Sequence, residues 1–189
     1  GYKCIFTMPD TMSVERRALL RSFGAEIVLT PGDKGMKGAI QKAEELARKG
    51  HVFQPSQFSN PANPEIHRRT TAEEIWNDTD GEVDIFVAGV GTGGTLKGVS
   101  RVLRKESPQT KIVVCEPDNS ALLGSGIPQQ RHADGSVAGS HPLFRPHLMQ
   151  GWSPDFISRL TEDAVAGGLV DEVVGVAGDE ALRLARELA

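Results

Sequence analysis

The sequence lacks long apolar runs and the marks of export. No apolar stretch approaches the roughly 18 residues that a membrane-spanning helix needs. The first ten residues, GYKCIFTMPD, do not show the charged and then apolar layout of a signal peptide. We therefore expect a cytoplasmic protein with no membrane partner.

An excess of positive charge is also missing. The chain has 21 basic and 25 acidic residues, interspersed along its length, and a net charge of −4. A protein that follows a nucleic-acid backbone usually carries a basic patch or stripe. We therefore expect no nucleic-acid partner.

Metal-ligand spacing is absent as well. The two cysteines, Cys4 and Cys115, each lie in an apolar run typical of a strand, which favours buried thiols over a disulfide or a metal pair. The five histidines are not spaced as ligands beside acidic residues or cysteines, and stand at positions 51, 67, 132, 141 and 147. The sequence therefore predicts no metal site.

Strand-like apolar runs alternate with amphipathic helical runs, which predicts an α/β fold with a mostly parallel sheet. In the first part of the chain we predict strands over 4–8, 26–30 and 51–54, a helix after Ser13 and a helix over 38–50. A change to a proline-rich composition places a domain boundary near Asn60. The predicted domains are a smaller one over 1–60 and a larger one over 61–189.

In the second part, Asn63 followed by Pro64 predicts the start of a helix that runs to about Asn77. The remaining predicted elements are strands over 84–90, 111–117 and 171–176, a helix over 95–106 and a C-terminal helix. A long irregular segment over 124–141 separates them, and such segments usually are functional or mobile loops.

The stretch VAGVGTGGTLKGV (87–99) places glycines and threonines between a predicted strand and a predicted helix. A helix N-terminus exposes unpaired N–H groups, and glycine lets the backbone wrap closely around an anion. The hydroxyls of Thr92 and Thr95 add donors. The pattern predicts a phosphate site over 91–95. The alternative is that these glycines only permit close packing of the strand against the helix.

The same stretch satisfies the dinucleotide pattern G-x-G-x-x-G. Glu116 stands 22 residues after Gly94, where such a site has an acidic residue for the ribose. A nicotinamide-dependent oxidoreductase is therefore an alternative function. A Walker A loop is excluded, because Thr95 stands where that motif requires lysine.

Three longer stretches resemble the cysteine synthase family, the type II pyridoxal-phosphate enzymes that make cysteine from O-acetylserine and sulfide. MPDTMSVERRALLRSFGAEIVLTP resembles the family's MPETMSxERR segment, QFSNPANPEIH matches a family hallmark, and VDIFVAGVGTGGTLKGV is similar to its cofactor-phosphate loop. The resemblance covers nearly the whole chain. It implies a tryptophan synthase β-like fold of two subdomains, the smaller one mobile. In this fold, open, mostly parallel twisted sheets carry helices on both faces, in three layers.

The resemblance also implies which residues form the site. The residues that would cradle the phosphate of pyridoxal 5′-phosphate are Gly91, Thr92, Gly93, Gly94 and Thr95. Those that would line the substrate pocket are Met12, Gln57, Phe58 and Gly151, with Gln57 and Phe58 beside the substrate carboxylate. Met12 and Phe58 also fit ordinary core packing. In this interpretation Glu116 belongs to a strand end and binds no ribose.

The family's Schiff-base lysine aligns upstream of Gly1, so we expect no catalytic residue within these 189 residues. We expect the chain to be a fragment that lacks both ends and is inactive alone. The family's QGIGAGF reads QGWSPDF here, with Trp152 and Pro154 replacing small residues beside the pocket. Enzymes similar to cystathionine β-synthase or O-phosphoserine sulfhydrylase therefore remain alternatives.

The predicted function is β-replacement in cysteine biosynthesis, with O-acetylserine and sulfide as substrates. The resemblance implies a homodimer and allows a complex with serine acetyltransferase.

Overall fold

Parallel strands joined by helices organise both parts of the chain. A computed structural model describes residues 1–50 and 52–189, which divide into two compact units, Gly1–Pro55 and Ser56–Ala189. The predicted α/β class is confirmed, since each pair of neighbouring strands in the described sheets is parallel. The predicted domains, 1–60 and 61–189, stay a prediction.

The first unit is built on one parallel strand pair. Its elements are β1 (Ile5–Pro9), α1 (Val14–Ser22), β2 (Glu26–Thr30) and α2 (Gly35–Lys49). The Ser13 hydroxyl accepts a hydrogen bond from the backbone N–H of Arg16 and so starts α1 as predicted. The Thr7 hydroxyl donates to the Ala39 carbonyl at 2.8 Å, which fastens α2 to β1.

The predicted third strand over 51–54 is wrong for the residues that the structure describes. Residues 52–54 form neither helix nor strand, and His51 lies outside the described residues. Phe53 is 85 % exposed, so its unit provides no sheet that buries this apolar run. A short apolar run does not by itself distinguish a strand from other structures.

The second unit holds a three-stranded parallel sheet. Its elements are α3 (Ala62–Arg69), α4 (Thr71–Asp78), β3 (Ile85–Gly89), α5 (Gly94–Glu106), β4 (Lys111–Pro117), α6 (Arg159–Ala166), β5 (Glu172–Val176) and α7 (Gly178–Leu188). The strand order is β3-β4-β5. Ile112 and Val114 of the central strand are fully buried, with Leu96, Val99 and Leu103 of α5 in the same core cluster. This packing fixes the start of α5 at the carboxyl end of β3, where ligands of open α/β sheets bind.

Two details of the helix predicted over 63–77 are wrong. It begins at Ala62 with Pro61 in the capping position, so Asn63 lies inside its first turn. It is also split into α3 and α4 at Thr70, whose backbone (φ −121°, ψ −73°) departs from helical values. The Thr70 hydroxyl donates to the Ile66 carbonyl, a local bond by which threonine competes with regular helix geometry.

The short helix α6 has no counterpart among the predicted elements. Its signals are Ser158, whose hydroxyl accepts from the N–H of Thr161, and the glycine pair at 167–168. The preceding segment over 124–141 is irregular as predicted, apart from one bridge between Arg131 and Val137. The Arg131 guanidinium pairs with Glu162 at 2.8 Å and so fastens this segment to α6.

Candidate functional site

The glycine loop, residues 90–95, is packed so closely that none of its three glycines, Gly91, Gly93 and Gly94, admits a side chain. Gly93 has φ +85°, a left-handed conformation that favours glycine, and a Cβ there would overlap the hydroxyl of Thr161. A Cβ on Gly94 would overlap the side-chain amide of Asn63. Close packing therefore explains part of the glycine pattern, as the alternative interpretation holds.

The loop also presents unpaired donors. Five of the six backbone N–H groups over residues 91–96 donate to no acceptor in the part of the chain that the structure describes, namely those of Gly91, Thr92, Gly93, Thr95 and Leu96. They surround the N-terminus of a 13-residue helix whose first turn holds no acidic residue. Such a cluster of donors at the positive end of a helix fits a phosphate group.

Asn63 connects the loop to the QFSN turn, residues 57–60. Its Nδ2 lies 3.0 Å from the Thr92 hydroxyl and 2.8 Å from the Gln57 carbonyl oxygen. The side chain of Gln57 is exposed, and the ring of Phe58 packs edge to face on Phe156 with centroids 5.1 Å apart. The structure thus brings Gln57 and Phe58 into the neighbourhood of the glycine loop.

Gly151 lies directly against the loop from the other side. Its carbonyl oxygen is 2.5 Å from the place of a Cβ on Gly91, and the N–H of Ser153 donates to the Val90 carbonyl at 2.7 Å. The indole of Trp152 covers Gly89, the last residue of β3, so closely that no side chain fits there. The predicted site residues of the second unit are therefore neighbours.

Met12 belongs to the first unit, in the turn before α1. Its backbone N–H donates to the Pro9 carbonyl at 3.1 Å, and its sulfur lies 3.0 Å from the Arg16 guanidinium. Its predicted role at the pocket stays a prediction.

The sequence did not reveal two residues that support the loop, the cap of α6, Ser158, and Thr161 in its first turn. The buried Ser158 hydroxyl donates to the Thr92 carbonyl at 2.6 Å and lies 3.0 Å from the hydroxyl of Thr161. The signal that identifies Ser158 is its own helix cap, a serine followed by apolar residues at helical spacing.

An ion pair joins α5 to α6 behind the loop. The ammonium of Lys97, 8 % exposed, lies 2.7 Å from an Asp163 carboxylate oxygen. Burial raises the pKa of Asp163, but the charges and hydrogen bonds of Lys97 and Arg159 outweigh burial and hold that pKa below its usual value.

The carboxylate of Glu116 is hydrogen-bonded to backbone groups of the protein. The residue is 1 % exposed, and its two carboxylate oxygens accept hydrogen bonds from the N–H groups of Leu123 and Gly124 at 2.8 and 2.7 Å. A residue that binds the ribose of a dinucleotide must have a carboxylate free to accept hydrogen bonds from it. The oxidoreductase alternative thus loses the residue on which it depended.

The described histidines do not cluster with one another. His51 lies outside the described residues. His67 contacts Thr71 and Thr95, and the Nε2 atoms of His141 and His147 bond to backbone carbonyls. Among residues 1–50 and 52–189, no group of three or more histidine, cysteine, aspartate or glutamate side chains is arranged to hold a metal ion. In the same residues, no helix has the length and apolar character needed to cross a membrane.

Comparison with known proteins decides the family. The sequence profile described as pyridoxal-phosphate dependent enzyme matches residues 1–189. The chain belongs to this family. The predicted cofactor, pyridoxal 5′-phosphate, is confirmed at the level of the family, and the glycine loop offers donors that fit its phosphate.

Individual relatives show which members of this family the chain is similar to. The chain is 47 % identical over 192 residues to cysteine synthase A of Escherichia coli, covering 100 % of this chain and 55 % of that protein. A crystal structure of O-ureido-L-serine synthase superposes with a TM-score of 0.85 at 39 % identity, covering 100 % of this chain and 54 % of the other. The O-acetylserine dependent cystathionine β-synthase of Helicobacter pylori superposes with a TM-score of 0.79 at 31 % identity, covering 99 % and 55 %.

The predicted resemblance to cysteine synthases is therefore confirmed. The chain spans about half the length of the curated relatives it matches.

Proposed function

We propose that this protein makes L-cysteine from O-acetylserine and sulfide by pyridoxal-phosphate-dependent β-replacement. The supporting observation is the group of unpaired N–H donors around Gly93, set beside the QFSN turn and Gly151. The whole of this chain aligns with a cysteine synthase at 47 % identity.

In this proposal the glycine loop binds the cofactor's phosphate. The N–H groups of residues 91–96 and the hydroxyls of Thr92 and Thr95 donate to its oxygens, and the α5 dipole favours its negative charge. When bound, pyridoxal phosphate supplies an electron sink at the α-carbon of an amino acid. The loop's task is to fix the position of that chemistry.

The QFSN turn binds the amino-acid substrate. The exposed amide of Gln57 is a donor that suits a substrate carboxylate. Phe58 and Gly151 are assigned to the same substrate site by the family resemblance. The role of Met12 at the substrate site is proposed on the family resemblance alone. Gln57 is itself held by Asn63, which also contacts the loop, so cofactor and substrate positions share one side chain.

The choice of nucleophile is the open alternative of this proposal. Trp152 and Pro154 replace small residues beside the pocket, and the relatives include an O-ureido-L-serine synthase and an O-acetylserine dependent cystathionine β-synthase. The identity of 47 % to a cysteine synthase, against 31 % to the cystathionine β-synthase, supports sulfide as the nucleophile.

The test uses the full-length natural protein loaded with pyridoxal phosphate. Turnover of O-acetylserine is measured with sulfide and with homocysteine, and O-phosphoserine is tried in its place. We expect the highest kcat/KM for O-acetylserine with sulfide. Preference for another pair, or binding of a nicotinamide dinucleotide with no pyridoxal phosphate, would contradict the proposal.

Gln57→Ala tests the substrate site separately. We expect the KM for O-acetylserine to rise about tenfold, because one hydrogen bond to a carboxylate is lost, while the cofactor Kd stays unchanged. The matched control is Gln130→Ala, an exposed glutamine in the 124–141 segment, which should change neither value. A change in cofactor affinity without a change in KM would show that Gln57 is wrongly assigned.

The family resemblance extends the proposal to the assembled enzyme. We expect a cytoplasmic homodimer, and the resemblance allows a complex with serine acetyltransferase. Light scattering of the natural protein, alone and with a serine acetyltransferase, measures both associations.

A further inference from the structure

We propose that two side chains of α3, Asn63 and His67, orient the hydroxyls of Thr92 and Thr95 so that both donate their protons to the cofactor phosphate. This inference rests on the proposed function, because it presupposes a phosphate in the glycine loop. It gives the motif QFSNPANPEIH a second task besides contact with substrate. Both side chains are positioning residues, since they act through the threonines.

Asn63 saturates the acceptor side of the Thr92 hydroxyl. A hydroxyl has one proton and two acceptor lone pairs. The Thr92 oxygen lies 3.0 Å from Asn63 Nδ2 and 3.2 Å from the N–H of Gly94, and both groups donate to it. The Gln57 carbonyl, 2.8 Å from the same Nδ2, accepts only, so the amide nitrogen must face it. The Thr92 proton is left for a further acceptor.

His67 controls Thr95 in the same way. Its Nε2 lies 3.3 Å from the Thr95 hydroxyl, and its Nδ1 lies 2.9 Å from the Thr71 hydroxyl. If Nε2 carries the proton, His67 donates to Thr95 and leaves the Thr95 proton for a phosphate oxygen. In the other tautomer Nε2 accepts that proton and removes it from the site. A bound phosphate therefore selects the Nε2–H tautomer, with the Thr71 hydroxyl donating to Nδ1.

The helix geometry presents both residues to the loop. Asn63 and His67 are four residues apart and lie on one face of α3. That face approaches α5 so closely that a Cβ on Gly98 would overlap the Pro64 carbonyl and lie 2.7 Å from the Cβ of His67. Close backbone packing thus holds the two side chains at a fixed distance from the threonines.

The experiment measures the pyridoxal phosphate Kd and the ³¹P NMR shift of the bound phosphate in the full-length natural protein. His67→Leu should raise the Kd about fivefold and shift the ³¹P signal, because a misdirected hydroxyl loses part of a charge-assisted hydrogen bond. His67→Gln should restore both values, since its amide nitrogen reaches the same oxygen as a donor. The control is His132→Leu, at an exposed position in the 124–141 segment, which should change neither.

Double variants separate positioning from mere support. In a Thr95→Val background, His67→Leu should have no further effect on the Kd, because the hydroxyl it orients is gone. Asn63→Ala should likewise cause no further change in the Kd in a Thr92→Val background. If Asn63→Ala does not fold, the double-mutant cycle of His67 and Thr95 tests the inference by itself. Additive effects of His67→Leu and Thr95→Val, or no rescue by glutamine, would overturn the inference. Failure of the unsubstituted protein to bind pyridoxal phosphate would instead refute the proposed function.

Discussion

The helices α5 and α7 both follow a parallel strand and both begin at a glycine, yet their N-termini differ in what they offer an anion. The first turn of α5 has no acidic residue and presents unpaired N–H groups. The first turn of α7 contains Asp179 and Glu180. A cavity of about 310 Å³ opens there, but Asp118 and Asp179 line it, which disfavours a phosphate. A strand, a glycine and a helix therefore make an anion site only where the first turn carries no negative charge of its own.

The largest expected effect comes from a single methyl group at the start of α5. Gly94→Ala should weaken pyridoxal phosphate binding at least about a hundredfold, because its Cβ overlaps Asn63 and displaces several donors together. The matched change in α7 is Gly178→Ala, whose Cβ meets only the Leu148 side chain at 3.2 Å or more and should leave binding intact.

The measurement is the visible absorbance retained after dialysis, with thermal unfolding as the check on folding. If Gly94→Ala folds and keeps its cofactor as well as Gly178→Ala does, the start of α5 has no special role in binding the phosphate.

Loss of one donor should have a smaller effect. Thr95→Ala should raise the pyridoxal phosphate Kd about tenfold, because a hydrogen bond to a charged group contributes about 1.5–3 kcal/mol and Thr95 is exposed to solvent. Thr95→Ser keeps the hydroxyl and should bind nearly as tightly as the unsubstituted protein. A fluorescence titration gives both constants, and equal values for alanine and threonine would exclude Thr95 from the phosphate site.

The first turns of α5 also contain a cation, Lys97, whereas the first turn of α7 contains acidic residues. Lys97 is disfavoured there by the helix dipole and is compensated by Asp163. Because the pKa of Asp163 is lower in the folded protein than its usual 3.8, the stabilisation is complete above about pH 4 and is lost as pH falls through the folded value.

Asp163→Asn should therefore lower the free energy of unfolding by about 1 kcal/mol near pH 7, a modest loss since the carboxylate is partly exposed. The difference should shrink below about pH 4. Urea denaturation across this range measures it, and a difference that does not vary with pH would rule out the ion pair as its source.

The smallest effect is expected at α7. Asp179→Asn should lower the free energy of unfolding by about 0.3–1 kcal/mol, because an acid in the first turn stabilises the helix dipole. The cofactor Kd should not change. A rise in that Kd would mean that α7 takes part in cofactor binding, contrary to the comparison.

Local sequence signals were sufficient for most of the fold. β2 and β4 occupy the predicted residues, and Ser13 caps α1 as its position predicted, because these features depend on residues close in sequence. The helix α6 was missed although Ser158 caps it in the same manner. Its eight residues lie after a long irregular segment, where a short apolar pattern is weak evidence.

Long-range contacts account for what the sequence did not show at the site. Asn63 before Pro64 has the local pattern of a helix cap, yet its amide is used 29 residues away by Thr92. Glu116 has the spacing of a ribose ligand, and only its bonds to Leu123 and Gly124 reveal that its carboxylate is occupied. The roles of Gln57, Phe58, Gly151 and the glycine loop stay predictions, because they depend on contacts with bound molecules that local sequence patterns do not encode.

The fluorescence of the chain's two tryptophans can report on the state of the glycine loop. Trp76 packs on Gly81 just before β3, and Trp152 packs on Gly89 at the strand's far end, beside the glycine loop. A chromophore in the loop would quench Trp152 by energy transfer more than Trp76, since β3 lies between the two and energy transfer falls steeply with distance. Emission from single-tryptophan variants would therefore report occupancy of the loop from one end of β3 and integrity of the fold from the other.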